Sequence, residues 1–94
     1  MAFNSHAADY AENALDLNKL LISHRAATYF MRMNGNAWEE DGIRNGDILV
    51  VDRAALPAPQ RPVVISTENG LKLQRRILPR QTLWGIVTAV IRKL

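Results

Sequence analysis

The spacing of apolar positions changes along the chain, and each change marks an element. Leu17, Leu20 and Leu21 fall at i, i+3 and i+4, one face of a short helix, with Asp16 placed to cap it and Ser23-His24-Arg25 to end it. The period then shortens to two. Ala27 to Met33 is rich in β-formers and predicts a strand, broken by Asn34-Gly35-Asn36. Glu39 to Gly42 and Asn45-Gly46-Asp47 read as turns, with Gly42 suited to a positive φ. Ile48 to Val51 is a continuous apolar run that predicts a strand buried on both faces, ended by Asp52 and Arg53. Pro57, Pro59 and Pro62 mark a loop. Val63 to Thr67 predicts a strand, Asn69-Gly70 a hairpin, and Leu71 to Leu78 its partner, stopped by Pro79. Leu83 to Ile91 reads as the final strand. Trp84, Ile86 and Thr88 are expected on one side of it, and Gly85, Val87 and Ala89 on the other.

The pattern is that of a mostly β domain of about five strands with one helix. A chain of 94 residues has room for one core. Residues 15–94 are read as that domain, and the polar residues 1–14 as an N-terminal arm that needs a partner to order it. A small sheet must cover its edges, and the final strand is more apolar than one face requires. A homodimer through Trp84, Ile86, Thr88, Val90 and Arg92 is therefore expected.

Composition narrows the function. There is no cysteine, which removes disulfides and thiolate metal sites and favours a cytoplasmic protein. No apolar run approaches the roughly 20 residues that span a bilayer, and MAFNSHAADY lacks the regions of a signal peptide. No cofactor or metal is expected. The net charge of +3 permits weak attraction to nucleic acid, but no recognition motif accompanies it. The excess lies in the C-terminal half, at Lys72, Arg75, Arg76, Arg80, Arg92 and Lys93. It is read either as a solvated strand face or as a patch for an acidic partner.

Other candidate chemistry is thin. Ser23-His24 offers a nucleophile beside a base, but neighbours on a helix do not face each other, and no carboxylate is expected to orient His24. Glu39-Glu40-Asp41 reads as a solvated turn. His6 and His24 are too far apart in sequence to read as a ligand pair.

A family resemblance adds more. Ala7-Ala8-Asp9-Tyr10, Leu15 to Leu21, Ala27-Thr28-Tyr29-Phe30, Gly35-Asn36-Ala37-Trp38, Asp41-Gly42-Ile43 and Gly46 to Asp52 together resemble the processed form of UmuD-type mutagenesis proteins. These belong to the LexA/UmuD self-cleaving peptidases. The resemblance extends over residues 3–53 without a gap, more loosely over 63–78, and again over Gly85 to Ile91. It implies the curved β fold of LexA and UmuD C-terminal domains. It also implies a shortened connection near residues 79–82, where relatives carry about one more hairpin.

Active relatives carry Gly-Asp-Ser-Met at the turn. The serine attacks the chain's own scissile bond, and a lysine on a later strand takes the serine's proton. Here the serine position falls on Ala37, between Asn36 and Trp38. The lysine position falls on Gln74, or on Arg75 with a one-residue shift. Glutamine does not titrate and arginine stays protonated. The resemblance thus implies a pseudo-peptidase whose old groove keeps Gly35, Asn36 and Trp38. Trp38 is expected to fill the vacated site, or to anchor a partner peptide there. The start at Ala2-Phe3-Asn4-Ser5, close to where processed relatives begin, implies a protein made directly in the processed-like form. The implied role is a homodimeric accessory protein of the SOS response, binding a Y-family DNA polymerase and the RecA filament in translesion synthesis. The alternative is a decoy that heterodimerises with an active UmuD- or LexA-type relative.

Overall fold

A computed structural model describes residues 16–94. The expected arm, residues 1–14, lies outside the described residues. The helix α1 spans Leu17–Leu21, and Asp16 caps it by accepting hydrogen bonds from the N–H groups of Asn18 and Lys19. None of its residues is buried, and Leu17 and Leu20 are 57% and 65% exposed. A 3-10 turn at Arg25–Ala27 leads into strand β1, Thr28–Arg32. A second 3-10 turn, Glu39–Asp41, ends on Gly42 at φ 83°, the left-handed conformation that glycine adopts without a Cβ clash. Strands β2 (Ile48–Asp52), β3 (Val63–Thr67), β4 (Gly70–Gln74) and β5 (Thr82–Ile91) follow. The mostly β expectation holds, and β2 is buried on both faces as its apolar run predicts.

All four strand pairings are antiparallel, in the order β1-β2-β5-β3-β4. The fifth strand is therefore central. Its first half, to Ile86, pairs with β3, and its second half, from Ile86, pairs with β2. The strand read as an edge in need of a partner instead splices two half-sheets together.

Two register shifts in this splice overturn the predicted alternation. Opposite β2, Val51 faces Val87 but Val50 faces Ala89, so the ladder skips Thr88. Opposite β3, Val64 faces Gly85 but Ile65 faces Leu83, so it skips Trp84. Each bulge inverts the side-chain phase. Val87 and Ala89 thus lie on opposite faces. Trp84 packs with Val87, while Leu83 packs with Ile86.

The sheet buries one cluster around Ile43, Leu49, Val51, Val64 and Val87, and another around Val63, Ile65 and Ile86. Gly85 sits under the Val51 side chain: a Cβ there would come 2.7 Å from Val51 Cγ1. The β3–β4 hairpin turns at Asn69-Gly70 as predicted, Gly70 taking φ 112°. Strand β4 is shorter than expected. It stops at Gln74, and residues 75–81 form the connection to β5.

Candidate functional site

The turn that carries Ala37 is held from several sides. The Gly35 N–H donates to Asn45 Oδ1 at 2.7 Å, and the Glu39 N–H donates to the Asn36 carbonyl at 3.2 Å. The Trp38 carbonyl accepts from the N–H groups of Asp41 and Ile43 at 3.0 and 3.1 Å. These bonds set the half-buried Trp38 ring against the first core cluster. Ala37 itself stays exposed and offers only a methyl group.

Of the two sequence candidates for the base, Arg75 is the one that meets Trp38. Its guanidinium carbon lies 5.2 Å from the centre of the Trp38 ring, and its Nη2 donates to Asp41 Oδ2 at 2.7 Å. Gln74 turns the other way. Its amide exchanges hydrogen bonds with the Gln81 amide at 2.6 and 3.0 Å, and it donates to the Arg76 carbonyl at 3.1 Å. The Gln74–Gln81 pair thus closes the short connection, while Arg75 stands over a groove of about 410 Å³. That groove also exposes Pro59, Arg61 and the Thr88–Val90 stretch of β5. The arrangement can stack and pair charges. None of Ala37, Trp38 and Arg75 carries a hydroxyl or thiol nucleophile.

The residues expected at a dimer interface separate. Ile86 is 0% exposed, inside the protomer's own core, and Trp84 is half-buried beneath the Arg53 guanidinium at 4.4 Å. Thr88 donates to the Val50 carbonyl at 3.4 Å. Arg92 stays exposed but folds back onto its own protomer. Its Nε and Nη2 grip both Asp47 oxygens at 2.7 and 2.6 Å, and Nη2 also reaches the Gly42 carbonyl at 2.8 Å. The hydrogen bond from Arg92, and then that from the Arg44 N–H, lower the Asp47 pKa to about 2. Val90 and Ile91 remain exposed, at 39% each.

A second polar pair escaped the sequence reading. Asp52, expected to end a strand, is 3% exposed and lies 2.6 Å from His24 Nδ1. The expectation that no carboxylate orients His24 is therefore wrong: β1 and β2 pair so that the segment after α1 crosses the end of β2. Burial opposes ionisation of Asp52, but bonds from His24 and from the Ala54 and Ala55 N–H groups outweigh it and hold the pKa below its usual value. The signal available in the sequence was an aspartate closing a wholly apolar strand.

Comparison with known proteins places the chain. The Peptidase S24-like family profile matches residues 1–82. The protein ImpA of Escherichia coli is 44% identical over 82 residues, covering 86% of this chain and 57% of ImpA. MucA, also of Escherichia coli, is 37% identical over 82 residues, covering 86% of this chain and 56% of MucA. SamA of Salmonella typhimurium is 36% identical over 109 residues, covering 97% of this chain and 78% of SamA. The SamA alignment is longer than the 94-residue chain, so SamA carries residues inside it that this chain lacks. The chain spans little more than half the length of ImpA and MucA. By the profile and these relatives, it belongs to the Peptidase S24-like family, the LexA/UmuD family to which its own residues pointed.

Proposed function

We propose that this chain is a non-catalytic, UmuD-like accessory protein of SOS-induced translesion DNA synthesis, acting as a homodimer on a Y-family DNA polymerase, the RecA filament or both. One observation carries the loss of catalysis. We read Ala37 as the position of the family serine, and of Gln74 and Arg75, the two residues read at the base position, Arg75 is the one that meets Trp38, its charge engaged by Asp41 and the Trp38 ring. A covalent step needs a nucleophile and a group that takes its proton; these residues supply neither. What remains is a surface for partners. The homodimer draws support from Ile91, 39% exposed at the end of β5, and from Phe30, 56% exposed on β1.

The test is a pull-down with the cognate Y-family polymerase and with RecA on single-stranded DNA, alongside the intact mass of an active relative's arm peptide after incubation. Retention of either partner with an uncut peptide supports the proposal. Cleavage of the peptide ends the non-catalytic part. Failure to retain both partners ends the accessory part and favours the decoy reading, for which exchange of subunits with an active relative is the readout.

A further inference from the structure

From Arg53 onward the chain carries eight lysines and arginines against one acid, Glu68. The fold does not disperse them. Arg61, on the proline loop, and Arg75 and Arg76, after β4, converge on a hollow of about 400 Å³ floored by Pro57, Val63 and Ile77. This hollow shares Pro59, Arg61 and Arg75 with the groove beside Trp38. Arg75 is partly neutralised by Asp41. Among the described residues, the side chains of Arg61 and Arg76 have no ion-pair or hydrogen-bond partner, and both are exposed.

The same groove has an open strand edge. Pairing between β3 and β5 stops at Ile86, and the Val87 N–H donates to the Pro62 carbonyl at 2.9 Å. Beyond that bond, among the described residues, no strand lies on the β3 side of β5. The Thr88–Val90 stretch lines the groove there. An unpaired edge is a template for an extended chain. Arginine forks along its rim favour carboxylates.

We propose that this cleft docks an acidic, extended peptide segment of a partner protein. Its backbone adds to the open edge of β5, and its carboxylates meet Arg61 and Arg76. The inference rests on the accessory reading, in that the groove holds a chain and does not cut it. A peptide fits better than a nucleic acid because a strand edge pairs with backbone amides, and the floor is prolines and aliphatics with one aromatic ring already covered by Arg75.

Fluorescence anisotropy on the full chain tests it with three labelled probes: an eight-residue peptide alternating Glu and Val, its Gln–Val counterpart, and a dT12 oligonucleotide. A fourth probe carries N-methyl groups at alternate backbone positions of the acidic peptide. The Glu–Val peptide is expected to bind and the other two peptides to bind at least tenfold more weakly. Arg61→Gln with Arg76→Gln is expected to weaken the Glu–Val peptide about tenfold; both side chains are exposed, and circular dichroism checks the fold. A flat titration at low salt, equal binding of the Gln–Val or N-methylated peptide, or tighter binding of dT12 overturns the proposal. The mass of the peptide afterwards separates the two ideas. A bound but cut peptide sinks the non-catalytic reading and leaves the docking site standing. An absent interaction alongside a retained polymerase does the reverse.

Discussion

Replacing Gly85 by alanine tests the splice at the centre of the sheet. The added Cβ would lie 2.7 Å from Val51 Cγ1, where carbon atoms prefer about 3.5–4.0 Å. Val51 is 0% exposed, and a β-branched side chain has little χ1 freedom to retreat, so the strands must shift. Overpacking of this kind costs about 1–3 kcal/mol. Against it stands a gain of about 0.4–1 kcal/mol from the stiffer unfolded chain. The steric effect wins, leaving a net loss of about 1–2 kcal/mol. For a domain of this size that lowers the melting temperature by about 5–15 °C. Val51→Ala alone removes two buried methyl-sized groups, about 2 kcal/mol. It also removes the atom in collision, so in the double variant the losses are expected to fall short of additivity by about 1 kcal/mol. Urea unfolding of the wild type and three variants, with m held in common, reads the cycle. A higher midpoint for Gly85→Ala, or losses additive within about 0.5 kcal/mol, refutes the collision.

Other expectations follow from the polar pairs and the connection. The Asp47 pKa is lowered to about 2, so its contribution is present above the unfolded carboxylate range near 4 and is lost as pH falls from about 5 towards 2. Asp47→Asn should destabilise at neutral pH and flatten the acid limb of the stability profile, and melts from pH 2 to 7 check this. His24→Ala removes one of the partners of the buried Asp52 carboxylate, costing about 1 kcal/mol, and should speed amide exchange in α1; unchanged exchange would mean the pair does not tether the helix. Arg80 is the one described non-glycine residue with positive φ, at 69°. Arg80→Gly relieves about 1–2 kcal/mol of strain against about 0.4–1 kcal/mol of added unfolded-chain entropy, so the melting temperature should rise by no more than a few degrees.

Much of this was legible in local chemistry. The Asp16 cap, the glycine at 42, the buried run in β2 and the Asn69-Gly70 turn follow from rules that act over a few residues, and the structure bears them out. What failed depended on distant partners. Strand order is set by which faces pair, not by position in the chain, so β5 came out central where an edge was expected. The bulges at Thr88 and Trp84 arise from matching β5 to two neighbours at once, which no alternation pattern in a single strand records. Arg92 and His24 find buried aspartates 45 and 28 residues away. In the groove, the sequence named Trp38 but put Gln74 first at the base position and reached Arg75 only through a one-residue shift. The Gln81 amide that draws Gln74 aside lies in the short connection, where the resemblance was weakest. Arg61 was missed because a lone arginine among prolines carries no pattern of its own.

The splice also has a consequence for how the molecule is made. Strands β1 and β2 can meet early, and so can β3 and β4, but each is only a two-stranded ribbon, marginal in water. Neither gains its third strand until residues 82–91 are available. During synthesis both ribbons must wait, their apolar faces open, for one segment that joins them in a single event. Folding is therefore expected to be late and all-or-none, its rate governed by the capture of β5, with the waiting ribbons as the stage most exposed to misassembly.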